Sequence, residues 1–205
     1  MSERVLLSLG SNVGDPLETL TAAVYSLDDV DGLAVADVSG VYETPPWPPP
    51  EEGGIAQDPF YNLVVLAMTT LEPHALLAEL QLIETAFGRD REREVRWGPR
   101  TLDIDLLLHG DREVDTVDLV VPHPRLTERA FVLVPMLEVL PGGALPDGRR
   151  LAPLLGALAP VEGIELVVRL DEVPGRRLAR PQGPSAPAAY LAEDVADAPD
   201  ERERP

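Results

Sequence analysis

The stretch that decides the fold covers residues 96–109 and reads RWGPRTLDIDLLLH. Its second part, residues 101–109, predicts a strand, because apolar and polar residues alternate at its start and leucines follow. Alternate residues of a strand share a face. The side chains expected to face the core are those of Leu102, Ile104, Leu106 and Leu108. Asp103 and Asp105 are expected to project together from the other face, about 7 Å apart.

Outward from this strand, hydrophobic periodicity predicts four further strands and four helices. The predicted strands are residues 4–10, 33–42, 60–69 and 164–170, and the predicted helices are residues 16–29, 73–87, 131–140 and 151–158. Asp15 and Pro16 have the residue types of a helix start, and Gly88 is typical of a helix end. The order β-α-β-β-α-β predicts an α+β fold, a ferredoxin-like βαββαβ sandwich with extra C-terminal helices and a strand.

Two polar loops and a tail complete the predicted organisation. The first loop, residues 43–58, is rich in proline and glycine, and the second loop, residues 89–100, is rich in arginine. Both are predicted to close as lids over a site at the Asp103 strand. Residues 171–205 contain six prolines and few large apolar groups. They are predicted to form a disordered tail, which leaves residues 1–170 as the folded domain.

The composition excludes several classes of function. The chain has 36 acidic and 17 basic residues, a net charge of -19, no cysteine, and only arginine among its Lys and Arg residues. Thiol and lysine chemistry, zinc–thiolate sites and a P-loop are therefore excluded. The negative field disfavours nucleic acid as a partner. Without an apolar span of about 20 residues or a signal-peptide pattern, we expect a cytoplasmic protein that does not enter a membrane.

The carboxylate pair Asp103 and Asp105 lies beside an island of positive charge. Residues 1–88 contain 14 acidic residues and one arginine, whereas residues 89–100 contain five arginines and three acids. Paired carboxylates suit Mg²⁺, and guanidinium groups match phosphate oxygens, so the pattern indicates phosphoryl chemistry. Two alternatives stay open on these residues alone: a solvated acidic edge strand, and a surface loop of alternating salt bridges.

The aromatic residues indicate a flat substrate. Six of the nine lie in or beside the two loops and the segment after His123: Tyr42, Trp47, Phe60, Tyr61, Trp97 and Phe131. Tyr42 and Tyr61 are predicted to fill the core, while the other four are equally consistent with core packing and with stacking on a heterocycle. Asn62, inside an apolar strand, is either a satisfied buried amide or a group that recognises a pterin or purine edge.

These motifs occur together in one known family. Gly10-Ser11-Asn12, Tyr42-x-Thr44-Pro45-Pro46, Phe60-x-Asn62, residues 97–105 and Pro122-His123-Pro124-Arg125 appear in that order. Over about residues 4–170 the chain closely resembles the 6-hydroxymethyl-7,8-dihydropterin pyrophosphokinases of folate biosynthesis. The resemblance implies a monomer that transfers diphosphate from ATP to the hydroxymethyl oxygen of the pterin, releases AMP and uses two Mg²⁺ ions.

The resemblance also implies roles for individual residues. Asp103 and Asp105 would ligate both metal ions, and Arg89 and Arg100 would neutralise charge on the transferred group. The pterin would be held by Thr44, Pro45, Pro46, Trp47, Phe60, Asn62, Trp97 and Phe131. ATP would be held by Gln81, Glu84, Arg91, Arg96, Arg100, Leu106, His123 and Arg129. Asp118 and Val120 replace nucleotide-contacting residues of the family, so those contacts are not carried over.

Two other classes of function are compatible with parts of the sequence. A non-catalytic pterin- or nucleotide-binding module would keep the pocket, but it has no need for Arg89, Arg100, Asp103 and Asp105 together. A polyproline ligand for a partner domain would use residues 45–50, although Trp47 interrupts that run. The leading hypothesis is therefore the pyrophosphokinase.

Overall fold

The computed structural model describes residues 1–91, 93–140 and 142–170, and the backbone of residues 172–173 and 176–177. The strands are β1 (Glu3–Ser11), β2 (Leu33–Val38), β3 (Gly40–Thr44), β4 (Phe60–Thr69), β5 (Asp103–His109), β6 (Val114–Asp115), β7 (Val120–Val121), β8 (Glu165–Arg169), β9 (Glu172–Val173) and β10 (Arg176–Arg177). The α-helices are α1 (Pro16–Asp28), α2 (Pro73–Ala86), α3 (Ala130–Val139) and α4 (Leu151–Ala157), and short 3-10 helices cover Pro50–Glu52 and Leu126–Glu128.

One antiparallel sheet organises the chain. Its strand order is β5-β1-β4-β3-β8, and β2 pairs with the same edge of β4 as β3 does, further along that strand. Every pairing within this sheet is antiparallel. The predicted α+β class is thus confirmed. Among the described residues, no helix has both the length and the apolar character needed to cross a bilayer.

Two hydrophobic cores lie on opposite faces of this sheet. Val5, Leu7 and Leu9 of β1 pack in the first core, together with the inward faces of α1 and α2. Leu6 points the other way, into the second core, which α3 and α4 cover. Because successive side chains of a strand alternate between faces, β1 contributes to both layers. Further along the second face of β1, Ser8 and Gly10 lie in the wall of a pocket.

The helix boundaries follow the predicted signals. Asp15 caps α1, because its carboxylate accepts a hydrogen bond of 3.0 Å from the Glu18 backbone N–H. Gly88, one residue past the cap of α2, has φ = +87°, a left-handed conformation that favours glycine at a helix end. These predictions are confirmed.

The predicted single strand 33–42 is wrong, because the chain breaks at Ser39 into β2 and β3. The Ser39 hydroxyl accepts from the Val64 N–H at 2.9 Å and donates to the Gly40 carbonyl at 2.8 Å. A side chain that bonds locally to backbone groups offers them an alternative to a regular ladder. The hydroxyl of Ser39 thereby takes the place of a backbone acceptor for the Val64 N–H. The chain on either side of Ser39 pairs with a different part of β4.

The prediction that Leu108 shares the face of Leu106 is also wrong. Leu7 pairs with Leu106 and Leu6 pairs with Leu108, so Leu107 is an extra residue on β5. Such a β-bulge reverses the alternation of side chains beyond it. Leu106 therefore packs in the first core and Leu108 in the second. The bulge lies beyond Asp105, so Asp103 and Asp105 keep their common face.

Several short elements gave no sequence signal: the hairpin of β6 and β7, the pair of β9 and β10, and the two 3-10 helices. Elements of two or three residues are too short for a periodic pattern. The predicted disorder of residues 171–205 lies outside the described residues, apart from the backbone of the strands β9 and β10.

Candidate active site

The two carboxylates of β5 open into a pocket at one end of the sheet. Opposite Asp103 and Asp105 on β1 lie Gly10 and Ser8, respectively. Both β1 residues have small side chains, and both line the pocket together with the two aspartates. The aspartate side chains are 26% and 33% exposed, so each is reachable from solvent. The neighbouring strand therefore leaves space directly beside the acid pair.

Asp103 is held by two arginines of the second loop. Arg89 donates to its Oδ1 through Nη1, and Arg100 donates to Oδ2 at 3.0 Å through Nη1. Burial by itself raises the pKa of the Asp103 carboxyl, but the charges and hydrogen bonds of the two arginines outweigh it, and the pKa lies below its ordinary value. Asp103 is therefore ionised.

Asp105 has a different environment, although it lies only two residues away. Arg129 donates to its Oδ2 at 3.2 Å, and His123 Nε2 lies 3.8 Å from the same oxygen. Burial, followed by the neighbouring charge of Asp103, raises the pKa of Asp105 above its ordinary value. Burial also lowers the pKa of His123. The acid pair therefore consists of one carboxylate stabilised by cations and one that holds its proton more tightly.

Beneath the arginines lies a buried carboxylate, Glu84 of α2. Its side chain is 1% exposed, and it accepts hydrogen bonds from Arg89 and Arg91 and from the Ile104 N–H, the last at 2.7 Å. Arg89 is also bonded to Glu94, at 2.6 and 3.1 Å. Glu84 thus ties α2, the second loop and β5 together, and it orients Arg89 toward Asp103.

The opposite wall of the pocket is aromatic. Trp47 and Trp97 meet edge to face, with ring centroids 5.7 Å apart, and Trp47 lies 6.4 Å from Phe131. Phe60 completes the set of rings. The pocket is lined by Ser8, Gly10, Thr44, Pro45, Trp47, Phe60, Asn62, Trp97, Gly98, Arg100, Asp103, Asp105, Arg129 and Phe131. One pocket therefore combines flat apolar surfaces with an acid pair and arginines.

The floor between these two halves is polar. Asn62 is 5% exposed and donates to the Thr44 hydroxyl at 2.8 Å. Its Oδ1 lies so close to Gly10 that a Cβ there would approach it to 2.8 Å. A buried amide with a set orientation can both donate to and accept from a heterocycle edge.

A polar network joins the two loops through Asn12. The Asn12 side chain donates to Gln57 Oε1 and to the Asp58 carbonyl, both at 3.0 Å, and accepts from the Arg100 N–H at 2.8 Å. Gln57 in turn donates to the Trp97 carbonyl at 2.7 Å. The two loops are therefore bonded to each other next to the end of β1, directly through Gln57 and indirectly through Asn12.

The comparison with known proteins decides the family. A family model described as 7,8-dihydro-6-hydroxymethylpterin-pyrophosphokinase (HPPK) matches residues 6–141. The chain belongs to the HPPK family. As an HPPK it is a pyrophosphokinase, and the predictions of the family, the enzyme class and the reaction are confirmed.

Two relatives, both named 2-amino-4-hydroxy-6-hydroxymethyldihydropteridine pyrophosphokinase, match nearly their whole length. The protein from Pseudomonas aeruginosa is 42% identical over 165 residues, which is 80% of this chain and 97% of the relative. The protein from Methylorubrum extorquens is 44% identical over 164 residues, 80% of this chain and 98% of the relative. The HPPK identity of this chain is therefore supported by relatives that match it over almost their whole length.

A solved structure shows the same fold in a longer protein. The wild-type HPPK-DHPS of Plasmodium falciparum with pteroate has a TM-score of 0.61 and 14% identity to this chain. The match covers 77% of this HPPK but only 42% of the Plasmodium chain. At this identity the likeness shows the fold alone.

The structure places the predicted HPPK site residues in three groups. Eleven of them line the pocket: Thr44, Pro45, Trp47, Phe60, Asn62, Trp97, Arg100, Asp103, Asp105, Arg129 and Phe131. Arg89 and His123 do not line it but lie against Asp103 and Asp105, respectively, and Glu84 and Arg91 lie further back, where Glu84 bonds Arg89 and Arg91 bonds Glu84. Pro46, Gln81, Arg96 and Leu106 do not line it.

Two of these positions differ from what the resemblance implies for direct contact with ATP. The Glu84 carboxylate is buried and bonded to Arg89 and Arg91, so it is directed toward arginines and away from solvent. The Leu106 side chain is 3% exposed in the first core, which leaves only its backbone to face a ligand.

Sequence reasoning missed several residues of this HPPK pocket. Ser8 and Gly10 had a signal, since they are the small members of the alternating face of β1 opposite Leu7 and Leu9. Asn12 was visible only as part of a motif. Gln57 gave no signal, because a loop glutamine has no periodic partner and its contacts form only in the folded chain.

The pocket offers two carboxylates as ligands for Mg²⁺, so further ligands must come from water or substrate. Among the described residues, no group of three or more acidic, histidine or cysteine side chains is close enough to hold a metal ion. Among the described residues that line the pocket, Asp103 and Asp105 alone supply carboxylate oxygens. Mg²⁺ usually binds through one or two carboxylates, waters and substrate phosphates, so two aspartates suffice when a nucleotide is present.

Proposed function

We propose that the two substrates of the HPPK reaction bind on different sides of this pocket. The reaction is the ATP-dependent transfer of pyrophosphate to hydroxymethyldihydropterin in folate biosynthesis. The observation that carries the proposal is the two-sided pocket, in which an arginine-bound acid pair faces four aromatic rings across a buried amide. The pterin is assigned to the aromatic side and the triphosphate to the charged side.

The pterin half of the proposal rests on ring geometry and on one amide. Trp47, Trp97, Phe60 and Phe131 present faces and edges that suit stacking on a flat heterocycle. Asn62, oriented by its hydrogen bond to Thr44, reads the donor and acceptor pattern of the pterin edge. The hydroxymethyl group then points along the floor toward Asp103 and Asp105.

The phosphate half rests on the arginines and the acid pair. Among the described residues, the buried Nε of Arg129 has no hydrogen-bond partner, and neither has that of Arg100, which lies 3.7 Å from Oε2 of Glu94. An unpaired buried donor is costly, and a phosphate oxygen would satisfy it. Arg89, which Glu84 and Glu94 orient, adds a third positive charge next to Asp103. We assign Gln81, Arg91, Arg96, His123 and the Leu106 backbone to the more distant parts of ATP.

Asp103 and Asp105 would hold two Mg²⁺ ions together with the ATP phosphates. When bound, Mg²⁺ supplies charge neutralisation and orientation of the phosphates for in-line displacement. The hydroxymethyl oxygen of the pterin attacks the β-phosphorus of ATP. A bond forms between these atoms, the bond from the β-phosphorus to the α–β bridging oxygen breaks, AMP leaves, and the hydroxyl proton passes to solvent.

The protein contributes positioning and electrostatic stabilisation to this reaction. Arg89 and Arg100 neutralise negative charge that develops on the transferred group. The two loops, bonded through Asn12 and Gln57, exclude water that would otherwise accept the pyrophosphate. We also propose that the fold is a ferredoxin-like sandwich, which the strand order β5-β1-β4 followed by β2 and β3 supports. We propose in addition that the protein acts as a monomer.

The nucleotide product tests the proposal. ATP, Mg²⁺ and 6-hydroxymethyl-7,8-dihydropterin are incubated with the full chain, and the products are separated by anion-exchange chromatography. Stoichiometric AMP and pterin diphosphate are expected. ADP as the product would mean transfer of a single phosphoryl group, and binding of both ligands without turnover would favour the non-catalytic module. Omission of Mg²⁺ should abolish the reaction.

A further inference from the structure

Arg125 lies between the two tryptophans of the chain. Its guanidinium carbon is 4.6 Å from the ring centroid of Trp97 in the second loop and 5.5 Å from that of Trp47 in the first. The two rings themselves meet edge to face at 5.7 Å. Arg125 belongs to neither loop, because it precedes the 3-10 helix Leu126–Glu128, whose position the second core determines. Three separate segments of the chain therefore meet at this cation.

The charge of Arg125 is met by aromatic faces. Arg89, Arg100 and Arg129 each have a carboxylate partner in the site. Within the part of the chain that the structure describes, no carboxylate lies within 4.0 Å of the Arg125 guanidinium. A half-buried guanidinium over indole rings is attracted by the ring quadrupole, more strongly when water is excluded. The two tryptophans are thus its principal partners.

Trp97 needs such support from outside its own loop. It has φ = +64°, a left-handed backbone conformation that is a genuine outlier for a bulky residue. Such a conformation persists only where the surroundings hold it. Gln57 bonds its carbonyl, while Arg96 at 5.0 Å and Arg125 at 4.6 Å contact its ring. Arg96 is exposed and belongs to the same loop, and Trp47 belongs to the other loop, so Arg125 is the ring contact that ties Trp97 to a segment outside both loops.

We propose that Arg125 is a positioning residue of the reaction, which holds Trp97 and Trp47 together over the pterin half of the pocket. Both tryptophans line the pocket, whereas Arg125 does not, so it acts through them. The inference rests on the proposed function only for its kinetic consequence. The contact itself exists in the ligand-free chain and can be measured there.

Because the chain contains two tryptophans, fluorine NMR can observe both ends of this contact. Full-length protein labelled with 5-fluorotryptophan should give two resonances, which Trp47→Phe and Trp97→Phe assign. Arg125→Gln should move both resonances, since both rings lose this shared cation, while Trp47 keeps Arg129 at 5.0 Å and Trp97 keeps Arg96 at 5.0 Å. Arg149→Gln is the matched control: it makes the same change of charge at an exposed arginine paired with Asp147, and neither resonance should move.

Arg125→Lys separates stacking from charge. A lysine keeps the positive charge but lacks the planar guanidinium that contacts two rings at once. If Arg125 positions the tryptophans, both variants move both resonances and lower kcat/KM for ATP and for the pterin about fivefold to tenfold. The far-ultraviolet circular dichroism should match the wild type. If Arg125→Gln loses its fold, the inference is tested by the fluorine resonances of Arg125→Lys compared with the assigned resonances of the wild type.

Two results would overturn the inference. Unchanged fluorine resonances in Arg125→Gln and Arg125→Lys would show that the cation does not hold the rings. A wild-type kcat/KM in Arg125→Lys, with Arg125→Gln raising only the KM for ATP, would show that Arg125 is a phosphate contact. Absence of turnover in the wild type would contradict the proposed function and leave the fluorine result to decide the position of Arg125.

Discussion

The Nη1 of Arg100 lies 3.0 Å from Oδ2 of Asp103, so a cation of the protein already occupies the oxygen that a metal ion would use. Arg89 binds the other oxygen of the same carboxylate. In the ligand-free site, the negative charge of Asp103 is therefore balanced by two arginines of the second loop. If ATP and Mg²⁺ bind at Asp103 as proposed, we expect these partners to exchange, which would release the arginines toward the phosphates.

Arg100→Gln tests this exchange. The variant should bind Mg²⁺ more tightly than the wild type in the absence of nucleotide, because a competing cation has left Asp103. Turnover should nevertheless fall about 100-fold, the usual cost of removing one donor that stabilises developing charge. Calorimetric titration with MgCl₂ and steady-state kinetics measure the two effects, with Arg149→Gln as a control for net charge. Weaker Mg²⁺ binding in Arg100→Gln would contradict the exchange.

The same substitution at Asp103 and Asp105 should change stability in opposite directions. Burial and the charge of Asp103 raise the pKa of Asp105, so the ligand-free fold disfavours its ionised form. The arginines overcome the effect of burial and lower the pKa of Asp103, so the fold favours its ionised form. At pH 7, Asp105→Asn should raise the midpoint of thermal unfolding. Asp103→Asn should lower the free energy of unfolding by about 1–3 kcal/mol.

The pH dependence of these two variants gives a second check. A lowered folded-state pKa means that the contribution of Asp103 is complete above the ordinary aspartate pKa and is lost as pH falls through the folded value. For Asp105 the folded-state pKa is raised, so its ionisation destabilises the fold. This destabilisation is complete above the folded-state pKa and disappears as the pH falls to the ordinary aspartate pKa. Both differences from the wild type should therefore vanish in acid. Shifts of the same sign in both variants at pH 7 would contradict the assigned environments.

Gly10→Ala should weaken pterin binding selectively. A Cβ at this position would lie 2.8 Å from Oδ1 of Asn62, so the amide must move away from the hydrogen bond with Thr44. The KM for the pterin should rise about tenfold, the value of one or two hydrogen bonds, with a smaller change in the KM for ATP. Gly156→Ala is the control, since open space surrounds that position. Equal changes in both KM values would argue against pterin recognition by Asn62.

Ending the chain after residue 170 should leave catalysis unchanged. Every residue assigned to the site lies between Ser8 and Phe131, and the family match covers residues 6–141. The values of kcat and of both KM constants should agree with the full chain within about twofold, in a truncated protein whose thermal midpoint is measured alongside. A loss of turnover without a loss of stability would place a functional group in residues 171–205.

The sequence predicted the parts of the fold and site that depend on local patterns. The spacing of Asp103 and Asp105 placed both in the pocket, because strand alternation needs only neighbouring residues. The break at Ser39 and the bulge at Leu107 were missed, since each depends on register with a partner strand. The position of Glu84 was equally out of reach. Its burial arises from packing of α2 against β5 and the second loop, which no helical periodicity describes.

Asn12 and Gln57 should couple the two loops in catalysis. Asn12 bonds Gln57 and the Arg100 backbone, and Gln57 bonds the Trp97 carbonyl, so removal of either side chain breaks the Asn12–Gln57 hydrogen bond that joins these two links. Asn12→Ala and Gln57→Ala should each lower kcat/KM about tenfold, and the double variant should lose less than the product of the two single losses, because the Asn12–Gln57 bond is lost in both. Amide hydrogen exchange of residues 43–58 and 89–100, in the presence of a nonhydrolysable ATP analogue and the pterin, should show less protection in all three. Thr85→Ala, at an exposed position of α2, provides the control. Fully additive losses, or protection that matches the wild type, would show that the loops close independently of this network.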